Sequence, residues 1–246
     1  MIEVKNIQKS FGAKLAVKDL SFSVDKGELF VFLGPNGAGK TTTLKMITGL
    51  LEPDQGEITI GGLSIQKDYL EIKRKLGYIP DEPFLYEKLT GNEFLDFIID
   101  MFGLSHEEIA ERREYLTDLF EIKDFADTLT ENYSHGMKQR LIFTAAFIHN
   151  PEYVVIDEPM VGLDPYSIRV VKDLLREEIK KGTTVLMSTH TLAIAEELAD
   201  RVLIIHNGMM QCCETIGELG KDEEGSLEDI FLRITGREAE SGEAGV

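Results

Sequence analysis

The sequence predicts an α/β chain in which a mostly parallel sheet is flanked by a small antiparallel sheet and interrupted by an inserted block of helices. Continuously apolar runs at 29–33 and 153–156 suit strands buried on both faces, and each is followed by a stretch with helical spacing. The pieces before Gly27 and after Gly56 read instead as short strands bounded by turns, as an antiparallel sheet requires. Residues 92–101, 106–120 and 134–148 show helical spacing with no strand between them, which marks the insertion.

Taken in order, Ile2, Val4 and Ile7 place a half-buried strand over 2–8, and a second follows at 20–24 before the turn at Lys26-Gly27. The run 29–33 leads into a glycine-rich loop and a helix over 42–50 closed by Gly49. A turn at 53–56 precedes a strand at 57–60. A short helix over 69–75 feeds a strand at 76–79 that ends at Pro80-Asp81-Glu82-Pro83. After the helical block and the strand 153–156, Asp164-Pro165 makes a good helix start, with Asp as N-cap and Pro in the first turn. That helix carries Ile168, Val171, Leu174, Leu175 and Ile179 on one face. A strand at 183–188 ends just before His190, a helix covers 194–199, and Asn207-Gly208 joins 202–206 to 209–213 as a hairpin. A short amphipathic helix is expected at 227–234, and the polar, acidic residues 236–246 are expected to be disordered.

The composition narrows the function. A net charge of −18 argues against attraction of the whole surface to nucleic acid or anionic lipid. Residues 1–10 include Glu3, Lys5 and Lys9 and no apolar core, so a secretory leader is not expected. The longest stretch free of Asp, Glu, Lys and Arg, 182–195, is broken by Thr, Ser and His and does not suit a membrane span. The 2 cysteines are the neighbours Cys212 and Cys213, which make neither a disulfide framework nor a metal-ligand set. A reducing cytosolic setting follows, with any membrane role exerted through a partner.

Chemistry concentrates around LFVFLGPNGAGKTTT, where Gly34, Gly39, Lys40 and Thr41 meet the pattern G-x-x-x-x-G-K-[ST]. Glycines let backbone N–H groups approach phosphate oxygens without an intervening Cβ. Lys40 supplies a point charge for the β- and γ-phosphates, and the Thr41 hydroxyl is a ligand for Mg²⁺. The expected nucleotide site is therefore Asn36, Gly37, Ala38, Gly39, Lys40, Thr41 and Thr42, in a P-loop NTPase core. An acid at the end of a buried strand in such a core is placed to hold Mg²⁺, which is Asp157 here. The adjacent Glu158 is a second carboxylate able to orient an attacking water or take its proton.

GPNGAGKTT, VVIDEP, the GLDP behind it and a strand ending in STH together resemble the ATP-binding cassette family, in the family's order and over roughly residues 2–217. The resemblance implies that Phe11 stacks on adenine, that His190 links the γ-phosphate to Glu158, and that Lys40, Glu158 and His190 are catalytic. It also implies that two copies, identical or related, sandwich two MgATP. The signature is read at Tyr133-Ser134-His135-Gly136-Met137, where a capped helix start offers free N–H groups to the other copy's nucleotide. Ser134, His135, Gly136 and Asp164 are thus the expected contacts across the pair. Two departures stand out. His135 replaces the usual glycine, and its side chain either turns away from the phosphates or adds a donor. Asp81 replaces the usual glutamine, and it either reaches Mg²⁺ or stays a loop carboxylate that caps or faces solvent.

The segment from Asp81 to Leu89 matches the family region that receives a short helix of integral membrane subunits, with Phe84, Leu85 and Tyr86 as contact candidates or core residues. PDEPFLYEKLTGNE and LEDIFLRITG further resemble the ATPase subunits of small exporters of drugs, peptides, lipids or sodium. One ATPase domain is expected over 1–220, with its helical part at about 84–150 and a C-terminal helix and tail over 221–246. The resulting expectation is an ATP-hydrolysing motor subunit held peripherally on the cytoplasmic face of a membrane. The alternative is a soluble cassette ATPase acting on a cytosolic complex, including nucleic acid or ribosomes. One cassette, no heptad run and the acidic charge disfavour it. A small-molecule kinase or a GTPase is disfavoured by the lack of an Asn-Lys-x-Asp motif and by an unexplained helix start at Ser134.

Overall fold

A computed structural model describes residues 1–218 and 226–236. The centre is a six-stranded sheet built from β3 (Leu29–Leu33), β6 (Leu76–Ile79), β7 (Tyr153–Asp157), β8 (Thr184–Thr189), β9 (Arg201–His206) and β10 (Met209–Thr215). Its order is β10-β9-β3-β8-β7-β6, parallel except for the edge strand β10. Asn207 and Gly208, with φ of 51° and 78°, make the tight turn between β9 and β10. The second sheet, antiparallel throughout, has the order β2-β1-β4-β5, from β1 (Ile2–Phe11), β2 (Lys14–Val24), β4 (Gln55–Ile60) and β5 (Leu63–Ser64). β1 and β2 extend further toward each other than the apolar alternation indicates, and the two-residue β5 carries no sequence signal of its own.

Alternation along the buried strands divides the core in two. Leu29, Val31, Leu33, Val154, Ile156, Val185 and Met187 face one side, where α5 (His135–Phe147), α6 (Pro165–Lys180), α7 (Leu192–Leu198) and α8 (Leu227–Thr235) pack. Phe30, Phe32, Val155, Leu186 and Leu203 face the other, against the antiparallel sheet, α1 (Lys40–Ile47) and α2 (Tyr69–Lys75). All five residues of β3 are buried. At about 1.5–3 kcal/mol for each large apolar side chain, that burial holds the root of the following loop rigidly.

The inserted block contains α3 (Gly91–Met101), α4 (His106–Leu119) and α5, joined through a 3₁₀ turn at Thr130–Asn132. A capping box between Thr90 and Glu93 starts α3. The block is pinned to the central domain by a pair that the apolar pattern conceals. Glu178 lies on the buried face of α6, with Arg112 of α4 at 3.0 Å and Lys181 at 2.9 Å. The expected boundary at 220 lies outside the described residues, as does the tail expected over 236–246 apart from Gly236, which caps α8 at φ 69°; α8 docks Leu227 and Ile230 into the core.

Candidate nucleotide site

Because β3, β6, β7 and β8 run parallel, their carboxyl ends deliver Gly34, Asp81, Asp157-Glu158 and His190 to one edge of the sheet. A cleft of about 240 Å³ opens there, lined by Phe11, Asn36, Gly37, Gly39, Lys40, Thr41, Thr42, Asp81 and Glu158 among others. Gly39 ends the loop at φ 112°, and a Cβ on it would lie 2.8 Å from the Ala16 carbonyl oxygen, so glycine is needed for both conformation and space. No side chain caps the start of α1, which leaves its first-turn N–H groups to an anion. Ala38 does not line the cleft: its side chain is buried and its N–H donates to the Pro35 carbonyl at 3.1 Å.

Lys40 Nζ donates to the Gly34 carbonyl at 2.7 Å and pairs with Glu158 Oε1 at 3.2 Å. The other oxygen, Glu158 Oε2, is 2.9 Å from His190 Nδ1. A carboxylate accepts, so Nδ1 carries the proton and Nε2 is left for a ligand. Glu158 itself sits at φ 49°, a left-handed conformation that costs a non-glycine residue about 1–2 kcal/mol. Its N–H donates to Ser188 Oγ at 3.1 Å and to the Ser188 carbonyl at 3.3 Å, which holds the strained turn. Ser188 Oγ donates in turn to Asp157 Oδ1 at 2.5 Å.

The carboxylates outnumber the cations. Burial, then Asp157, Glu158 and Glu82, raise the Asp81 carboxyl above its ordinary range, while His135 opposes them. Burial, Asp157 and Asp81 push the Tyr78 hydroxyl up to about 12. Asp157 Oδ2 is buried with no hydrogen-bond partner. Oxygen donors and uncompensated negative charge at this edge of the sheet fit a hard divalent cation. Among the described residues no cluster of three or more His, Cys, Asp or Glu side chains makes a metal cage. A Mg²⁺ here would therefore need phosphate and water oxygens to complete its shell.

The remaining expected residues lie elsewhere. Ser134 caps α5, accepting from the Met137 N–H at 3.3 Å, and Asp164 caps α6, accepting from the Ser167 N–H at 3.0 Å. Neither of them lines the cleft, nor do His135, Gly136, the buried Asp157 or His190, which reaches the cleft only through Glu158. His135 turns toward its own chain, with Nε2 3.4 Å from the Val161 carbonyl oxygen. A Cβ on Gly162, at φ 76°, would come within 2.4 Å of the His135 ring, so the position this ring takes uses space that a glycine leaves open. Leu85 is a core residue at 6% exposure, whereas Phe84 at 72% and Tyr86 at 48% are exposed.

Sequence reasoning missed three contributors. Lys14 and Ala16 of β2 line the cleft, and Ser188 braces both acids. Only the STH motif pointed to Ser188, and the strand over 14–19 went unread.

A sequence model described as ABC transporter matches residues 17–161. The linearmycin resistance ATP-binding protein LnrL of Bacillus subtilis (strain 168) is 41% identical over 210 residues, covering 85% of this chain and 68% of that protein. The solved structure of an ATP-binding subunit of an ABC transporter superposes with a TM-score of 0.90 at 35% identity, covering 95% of this chain and 99% of the other. A dimeric post-hydrolysis structure of the ATP-binding cassette MJ0796, bound to ADP and Pi, superposes with a TM-score of 0.80 at 26% identity, covering 88% and 99%. With the P-loop fold, the site geometry and these likenesses in agreement, the chain belongs to the ABC transporter family and is an ATPase cassette, the ATP-binding subunit of a transporter.

Proposed function

We propose that the chain is the motor subunit of an exporter, in which two cassettes close around two MgATP and drive integral membrane subunits. The observation that carries the paired mechanism is a separation within one chain. Lys40 and Glu158 line the cleft and His190 joins them through Glu158, while the capped start of α5 at Ser134 does not line it and has donors to offer. A second copy supplying Ser134, Gly136 and Asp164 would complete the enclosure. Lys40 and the loop N–H groups hold the β- and γ-phosphates, and Phe11, 53% exposed, offers a face to the base. Glu158 accepts the proton of the attacking water, and His190 fixes that carboxylate through Nδ1 while Nε2 meets the γ-phosphate. Thr41 and Asp157 would hold Mg²⁺, which would supply positive charge to neutralise the phosphate oxygens.

No helix among the described residues is long and apolar enough to cross a membrane, and in this reading force reaches the bilayer through the membrane subunits. Phe84, Tyr86 and Phe97 form an exposed edge-to-face series, with ring centroids 5.9 and 5.3 Å apart. Beside it runs an apolar groove of about 510 Å³, lined by Leu50, Leu70, Tyr78, Phe94, Met101 and Phe102 among others. Phe94, which lines this groove, has its ring 6.4 Å from that of Tyr86, and the groove suits a short helix of a membrane subunit on the cytoplasmic face. A relative named for resistance favours removal of a compound over uptake. The test is purification of the tagged chain from detergent extract, with identification of what accompanies it. An integral membrane protein should co-purify and be lost with Phe84→Asp, while ATP binding persists. Recovery of the wild type alone would reject the transporter role.

A further inference from the structure

The cleft contains a second cation to which none of the expected roles applies. Its acids, Asp81 and Glu158, face only two cations in its lining, and one of them, Lys40, is already paired with Glu158. The other is Lys14, whose ammonium makes no ion pair or hydrogen bond among the described residues. Its position is fixed by backbone pairing. Phe11 of β1 and Lys14 of β2 are directly opposite each other across the two-residue turn Gly12-Ala13, and such partners project from the same face of a hairpin. Ala16, the bulged residue two positions further along β2, also lines the cleft. The close approach of the Ala16 carbonyl to Gly39 presses β2 against the phosphate loop, so Lys14 is held in register with both the aromatic platform and the phosphate cradle.

We propose that Lys14 is a nucleotide-binding residue that takes the base-proximal end of the polyphosphate, the α-phosphate, while Lys40 takes the terminal end. The proposal rests on the nucleotide-site assignment above. A nucleoside triphosphate laid from Phe11 to Lys40 and Glu158 passes Lys14 on the base side, and the α-phosphate is the anion available there. Lys14 also offsets the negative field of Asp81 and Glu158 against an incoming anion, in a protein whose overall charge is −18.

The test is calorimetric titration of the full chain with MgATP and MgADP at low and high salt, using K14E, K14R and, as a charge control, K67E. Lys67 is exposed and does not line the cleft. K14E should weaken both nucleotides alike at low salt, by roughly five- to tenfold, as reversal of a partly exposed contact implies. The difference should shrink at high salt, and K14R should stay within about twofold of the wild type. K67E should leave both affinities unchanged. A folded K14E with wild-type affinity, a loss confined to MgATP, or an equal loss in K67E would each overturn the assignment of Lys14. A wild type that binds neither nucleotide would overturn the site assignment itself, which separates the two failures.

Discussion

Lys40 and Glu158 hold each other at 3.2 Å, so the cation proposed for the terminal phosphates is paired with the carboxylate proposed for the attacking water. Both side chains are nearly buried, and nucleotide entry must exchange this pair for phosphate contacts. Lys40→Ala removes at least two charge-assisted hydrogen bonds worth about 1.5–3 kcal/mol each and should weaken MgATP binding by roughly two orders of magnitude or more. Titration of the purified variant measures it, and an unchanged affinity would refute the phosphate-loop role.

Glu158→Gln keeps size and a hydrogen-bonding oxygen for His190 but removes the proton acceptor. Turnover should fall by roughly 10²- to 10⁴-fold, while ATP remains bound. Size exclusion with ATP should then show a stable dimer of the variant and mostly monomer of the wild type. A fully active variant, or one that never pairs, counts against hydrolysis between two copies.

Ser188 donates to Asp157 and accepts from the Glu158 N–H, so Ser188→Ala loosens both acids at once. Asp157, whose other oxygen already lacks a partner, becomes a buried carboxylate without a donor. Stability should drop by about 1–3 kcal/mol, read from denaturant unfolding. The Mg²⁺ concentration for half-maximal ATPase activity should rise, because the ligand loses its orienting partner. Coincident unfolding and Mg²⁺ curves would show Ser188 to be incidental.

Asp81 is raised by burial and by the carboxylates around it, so its ionised form opposes the nucleotide-free fold. The stability tied to its protonated form is complete below the unfolded carboxyl value and is lost as pH rises through the folded one. Asp81→Asn should therefore raise the thermal midpoint of the nucleotide-free chain at pH 7, with the gain fading under acid conditions. If Asp81 is also a metal ligand in the ATP-bound pair, the same change should weaken apparent Mg²⁺ affinity, since a carboxylate is the stronger ligand. Superimposable Mg²⁺ titrations would place Asp81 outside the metal shell.

His149 is stacked on Phe102 with ring centroids 3.9 Å apart, and burial pushes its imidazole down from 6.5 to about 4. Its depressed value contributes stability that is present above pH 6.5 and is lost as pH falls toward about 4. The loss across that window is up to roughly 3 kcal/mol. His149→Phe should flatten that part of the stability profile. A variant curve parallel to the wild type would remove His149 as the cause.

The amino-acid sequence by itself determined the parts whose signals are local. A buried strand, a glycine loop and Lys40-Thr41 occur within fifteen residues, and the acids Asp157-Glu158 follow directly on an apolar strand. Helix caps at Ser134 and Asp164 and the Asn207-Gly208 turn were legible because backbone geometry there depends on the nearest few residues. Tertiary structure alone decided which distant groups meet. Ser188 reaches Asp157 across 31 positions of chain, and Glu178 is buried because Arg112, 66 positions earlier, arrives to pair with it. Leu85 points inward and its neighbours Phe84 and Tyr86 outward, although hydrophobicity ranks all three alike. Lys14 faces the phosphate cradle only because the antiparallel sheet packs against it, and the His135 ring takes a position that Gly162 leaves open. The physical reason is common to all of these. Local conformational preference is written in adjacent residues, whereas burial, charge pairing and steric fit depend on what the folded chain brings close in space.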